Sequence, residues 1–188
     1  RPLQRQRFHP KLRHLECLQF GKRGVYDLMN PDVSLTRQLV RHARAKAATS
    51  DDLAMAALFV LDAVANALGG CASEQGRKLL RWAGNGPSRP GTPFDTGSHA
   101  LLMGALTHIL ETDDLHRASV VHPGCVVAPA AWVMALREDA NGADFLRAIL
   151  EGVEGTTRVG MGVGPAHYRI WHNTATCGPY GSAMAAAT

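Results

Sequence analysis

A chain of 188 residues with 46% hydrophobic and 19% charged side chains holds enough apolar material for one globular core, which excludes an intrinsically disordered chain. Its net charge of +4 would suit a nucleic-acid or anionic-membrane partner, but the excess is local: residues 1–28 hold seven Lys or Arg against Glu16 and Asp27, and from Met29 onward thirteen basic residues meet fourteen acidic ones. A near-neutral body excludes a broad phosphate-binding face, so neither nucleic acid nor a membrane is expected as a partner.

In chain order, residues 1–28 read as a basic, disordered or extraneous leader, because the composition changes at Met29; the basic start lacks the apolar h-region of a secretory signal and the serines of an organelle-targeting peptide. Met29 opens the helical domain, residues 29–188. Leu35, Leu39, Val40 and Ala43 recur at three- and four-residue spacing and predict an amphipathic helix from Ser34. A second helix is expected over 51–68, with Ser50 as N-cap, Asp51 and Asp52 at the positive end of the dipole, and Gly69-Gly70 as the stop. Its sparse polar surface places it at the bundle centre, and the apolar stretch 53–68, interrupted by Asp62 and Asn66, is too short to cross a bilayer.

A short basic helix over 73–83 leads into the breaker-rich run GNGPSRPGTPFDTG, a loop. Thr96 or Asp95 caps the next helix, 98–110, whose Ala100, Gly104 and Ala105 admit a close neighbour. The run ETDDLHRASVVHPG then breaks the apolar periodicity. Beyond it lie a helix over 125–136, with Pro129 tolerable near its first turn or at a kink, and another over 143–159, Gly142 ending the earlier one. The last stretch, GMGVGPAHYRIWHNTATCGPYGSAMAAAT, reads as a Gly-rich loop followed by a helix that opens near Gly178. Strand alternation is absent, so the expected fold class is all-α, a helical bundle. Trp82, Trp132 and Met134 read as core.

Two polar clusters stand out against this apolar background. The first gathers Glu111, Asp113, Asp114, His116, Arg117 and His122 between two apolar helices. A carboxylate beside an imidazole fixes its tautomer and suits it to remove a proton next to a carbonyl, and a guanidinium such as Arg117 grips a carboxylate with two parallel N–H bonds. The bland reading has the aspartates capping a helix, His116 on the surface and His122 in a turn. Zinc or iron ligation by these residues fits no closed motif such as HExxH. The second cluster holds His167, Tyr168, Arg169, Trp171, His172, Asn173, Thr174 and Thr176 behind Gly160, Gly162 and Gly164, and the following helix would aim its positive end into the same region. The glycines alone do not make a dinucleotide fingerprint.

His99 and His108 read as packed or capped helix residues, and Cys177 as a small buried one. Cys17, Cys71, Cys125 and Cys177 are far apart and form no CxxC pair, which predicts free thiols in a reducing compartment and hence a cytoplasmic protein.

The order DDLHRASVVHPG, apolar helix, GADFLRAILEGVE, then HYRIWHNTATCGPYGSAMAAA, preceded by LDAVANALGG, resembles the MmgE/PrpD family over residues 34–188. The resemblance implies the first part of an all-helical domain that is joined in the family to a smaller α+β domain, usually in a homodimer. It implies a lyase or isomerase, such as 2-methylcitrate dehydratase, cis-aconitate decarboxylase or iminodisuccinate epimerase, that moves a proton beside the carboxylates of a small polycarboxylate without organic cofactor or metal. Carried over by position, His122, His172 and Asp113 are the expected catalytic residues, with Glu111, Asp114, His116, Arg117 and Asn173 on the substrate. Two positions depart from the family: Glu111 stands where relatives often have Asp, and Leu115 where they often have Thr. The family's catalytic Lys and Tyr lie past the point where this sequence stops, so little or no turnover is expected of the isolated chain. The rival expectation is a non-catalytic helical module that oligomerises or binds a carboxylate.

Overall fold

The computed structural model describes residues 34–45, 47–84 and 95–188. The expectation for residues 1–28, and that for most of the breaker-rich loop, lie outside the described residues. Seven helices and no strand are present among the described residues: α1 (Leu35–Arg44), α2 (Ser50–Ala72), α3 (Glu74–Gly84), α4 (Thr96–His108), α5 (Gly124–Arg137), α6 (Gly142–Tyr168) and α7 (Asn173–Ala186). The all-α expectation holds. Residues 39–188 make one compact unit.

Helix ends follow local chemistry more closely than glycine positions. α2 is capped by Thr49, not Ser50: the Thr49 hydroxyl accepts from the Asp52 amide at 3.2 Å while the Asp52 carboxylate accepts from the Thr49 amide at 2.9 Å, a reciprocal capping box. Asp95 caps α4 through the Ser98 amide at 3.0 Å, one of the two residues expected. Asn141 caps α6 by accepting from Ala143 and Asp144, so Gly142 begins a helix and does not end one.

α2 runs through Gly69-Gly70 to Ala72. Gly70 is a packing residue, since a Cβ there would collide with the Leu106 carbonyl of α4. Continuing through the glycines gives α2 23 residues, and by length and composition it is apolar enough to cross a membrane, which corrects the expectation that the stretch is too short. It is also not central. Ala56, Ala63 and Gly70 are its buried residues, whereas Leu58, Leu61 and Leu68 are 56%, 63% and 68% exposed. Small buried residues bring its inner face close to neighbours, and the large apolar ones lie outside.

The centre belongs to α5, which buries Val127, Ala128, Ala131 and Val133. Ala56 and Ala63 of α2, Ala148 and Ile149 of α6 and Ala185 of α7 close the core around Val127, Ala128 and Ala131. Pro129 sits buried in the second turn of α5, past the first turn expected to tolerate it, where its missing amide leaves the Cys125 carbonyl without its helical donor; that carbonyl faces Gly104 of α4. Trp82 and Trp132, expected in the core, are 46% and 36% exposed. Trp132 lies at its edge, with its ring edge-on to Phe145 at 5.7 Å.

The glycine-rich run is helical for most of its length, as α6 extends to Tyr168. Its break is at Gly164, with φ 70° and ψ 175°, a backbone state that glycine adopts without penalty, immediately before Pro165. α7 likewise begins at Asn173, five residues before the expected Gly178. The two helices pack through absent side chains: a Cβ on Gly181 would strike the Thr156 hydroxyl and the Gly152 carbonyl of α6. Gly181→Ala is therefore expected to destabilise the domain by about 1–3 kcal/mol through overpacking. A thermal melt lowered by several degrees, against no change for Gly142→Ala, where an added Cβ meets nothing, checks this.

Candidate active site

The segment between α4 and α5 is where polar groups converge. Its far part closes as a tight turn: the His116 amide donates to the Val121 carbonyl at 2.9 Å and the Val121 amide returns to His116 at 3.4 Å. Val120 takes φ 51° within it, and the exposed Arg117 and Ala118 form its tip. The near part is fastened to α2, where Thr112 donates to the Asn66 side chain at 2.6 Å and the Asp114 amide to Asp62 at 3.1 Å. Asp62 and Asn66 thus interrupt the apolar run of α2 because they anchor this segment.

The paired aspartates do different work. Asp113 has a fully buried side chain, and its carboxylate accepts from His108 Nδ1 at 3.0 and 3.1 Å. His122 Nδ1 approaches the same Oδ1 to 3.3 Å, near enough for charge pairing but misaligned for a hydrogen bond, so that nitrogen is buried without a hydrogen-bond partner. Cys125, in the first turn of α5, completes the surroundings. Its Sγ lies 3.3 Å from the His122 carbonyl, and burial together with the Asp113 charge drives the thiol far above the usual range, so it is no nucleophile. Buried charge must be compensated, and here imidazole and thiol donors compensate it.

Asp114 turns to the start of α5 instead. Its Oδ1 accepts the Gly124 amide at 2.8 Å, and a Cβ on Gly124 would run into that carboxylate. A carboxylate ten residues upstream thereby caps the helix, since Pro123 at the N-cap offers no side-chain bond. Burial, with the Asp62 and Asp113 charges, pushes Asp114 up to about 6, against the opposing Gly124 hydrogen bond.

The second polar cluster meets the first through α7. Thr174 accepts the His122 amide at 3.0 Å, and the buried Asn173 donates to the Ser119 carbonyl at 2.7 Å. The His108 ring lies 4.8 Å from that of His122 and 6.0 Å from that of His172, centroid to centroid, so three imidazoles gather, two of them, His108 and His122, against the buried Asp113 carboxylate. His172 is exposed and stands at the N-cap of α7 with no side-chain capping bond. The positive end of α7 therefore lies at the cluster.

The family follows from the sequence as a whole, since the MmgE/PrpD N-terminal domain description matches residues 36–188. The chain belongs to the MmgE/PrpD family. No curated protein matches it in sequence.

Within this MmgE/PrpD domain, Asp113, His122 and His172 share one locality. The other residues expected at the site are more dispersed. Glu111 is exposed at φ 54°, with its carboxylate 3.7 Å from His108 Nε2. Asp114 and Asn173 hold α5 and the loop by the bonds just given. His116 bonds through Nδ1 to the Ser119 hydroxyl at 2.8 Å, and burial lowers its proton affinity despite Glu154. Arg117 is exposed at the turn tip. His108, read from the sequence as a packed helix residue, is the best-held imidazole of the group. Its signal was position: the last residue of α4, directly before the charged segment.

Proposed function

We propose that this domain binds a small polycarboxylate beside His108, His122 and His172 and takes part in moving a proton at the carbon next to one of its carboxylates. The reading rests on one observation, three imidazoles grouped about His108, two of which, His108 and His122, face the buried Asp113. A carboxylate that accepts from Nδ1 fixes that nitrogen as the proton-bearing one and leaves Nε2 as the base. For His108 this dyad is formed, with Nε2 on the Glu111 side. His122 and His172 supply acid and base partners on the adjoining surfaces, and Asp113 stabilises His108 or His122 when either becomes charged. The positive end of α7, at whose N-cap His172 stands, favours an anionic substrate. Membership of the MmgE/PrpD family supports the same class of reaction, that of dehydratases, decarboxylases and epimerases acting on small polycarboxylates.

Histidine-detected NMR of the chain, titrated with 2-methylcitrate, citrate and cis-aconitate, tests the reading. The expected result is saturable, concerted movement of the His108, His122 and His172 ring signals. Solvent deuterium entering the bound acid would identify catalysis, and binding without exchange would identify a carboxylate-binding module. Absence of binding by all three acids, or ring signals that move independently, defeats the proposal.

A further inference from the structure

We propose that His108, Asp113 and Cys125 together form a binding site for a thiophilic divalent cation, zinc by the nature of the donors. Their ligating atoms, an imidazole nitrogen, a carboxylate oxygen and a sulfur, all lie within 4.8 Å of one another. They come from three separate elements: the end of α4, the connecting segment and the first turn of α5. Bond lengths to zinc of ~2.0–2.3 Å place tetrahedral ligand atoms about 3.3–3.8 Å apart, so side-chain shifts of about 1 Å or less bring the three onto one ion. Sulfur selects against calcium and magnesium, which take oxygen ligands, and the mixed N, O, S set is one that zinc accepts.

A second observation points the same way. His122 Nδ1 is buried with no hydrogen-bond partner, 3.3 Å from the Asp113 oxygen. It is a further nitrogen beside the Asp113 donor, on a ring 4.8 Å from that of His108, and a candidate for the fourth position. Charge closes as well. On binding, the Cys125 S–H bond breaks, its proton leaves to solvent and the sulfur lone pair forms the bond to the metal. Neutral His108 exchanges its Nδ1 proton for one on Nε2 through solvent. One dication with one thiolate and one carboxylate is neutral, and one proton is released per ion.

The site does not depend on the proposed catalysis, but it would oppose it. A cation held by His108 Nδ1 and Asp113 takes up the dyad that orients the base, so metal occupancy and proton transfer exclude each other. Zinc is then an inhibitor of the domain.

The test uses the full chain, freed of metal by chelation and titrated with Co²⁺ as the spectroscopic probe. Expected is uptake of one equivalent with the visible absorption of a four-coordinate ion and a thiolate-to-cobalt charge-transfer band, both erased by Zn²⁺. Cys125→Ala removes the charge-transfer band, Cys71→Ala keeps it, and His108→Gln weakens binding at least about tenfold. Far-UV circular dichroism accompanies each variant. Should Cys125→Ala not fold, the half-buried His108→Gln decides. No stoichiometric uptake, uptake without the charge-transfer band, a band that survives in folded Cys125→Ala, or unchanged affinity in His108→Gln overturns the proposal.

Discussion

Replacing Asp113 with asparagine is expected to keep the helical fold and to reduce any proton exchange the protein catalyses roughly 10²–10⁴-fold, the range a positioned acid–base group supplies. The amide oxygen still accepts from His108 Nδ1, so the ring stays in place, but the charge that stabilises an imidazolium is gone. Alanine should behave differently. It leaves His108 Nδ1 without its acceptor in a part-buried setting and should cost about 3 kcal/mol of stability. The two variants therefore separate orientation from charge. Chemical denaturation measures the first effect, and deuterium incorporation into the substrate the second. Equal loss of stability in both variants, or exchange undiminished in Asp113→Asn, would show that the carboxylate neither holds the rings nor serves the reaction.

The bundle was legible because its signals are local. Alternation of apolar residues at three and four positions reports helices directly, and Asp95 announced its own cap. Glycine was the main source of error. Gly69 and Gly70 within α2, and Gly160 and Gly162 within α6, look like breakers in a sequence, yet Gly70 admits a carbonyl from α4 and Gly160 packs against Ser119 and Val121. That use depends on a partner distant in the chain, which spacing alone does not reveal. The same limit governs the site. His122 and Asp113 are nine residues apart and drew attention together. His108 reads as a packed or capped residue because a histidine at a helix end has an ordinary capping use, and its pairing with Asp113 depends on how the chain turns after α4. The division of labour between the two aspartates was equally invisible. Adjacent residues point apart across a turn, and only the fold shows that one meets imidazoles and the other an amide.

That division has a thermodynamic consequence at Asp114. Its carboxyl is pushed from the ordinary 3.8 up to about 6, chiefly by burial and then by the neighbouring Asp62 and Asp113 charges. The folded state therefore binds this proton more tightly than the unfolded chain does. The Asp114 contribution is fully present below about pH 4, declines as pH rises through about 6, and is absent above, where ionised Asp114 costs the fold about 3 kcal/mol. Asparagine keeps an acceptor for the Gly124 amide and carries no charge. Asp114→Asn is accordingly expected to stabilise the domain by about 1–3 kcal/mol at pH 7.5, less than the full cost because a neutral oxygen caps α5 more weakly than a carboxylate. At pH 4 the variant and the parent should unfold alike. Urea denaturation at the two pH values measures the difference. A gain of the same size at both would mean that packing, and not the buried charge, was relieved, and a loss at pH 7.5 would mean that capping by the ionised carboxylate outweighs the cost of burying it.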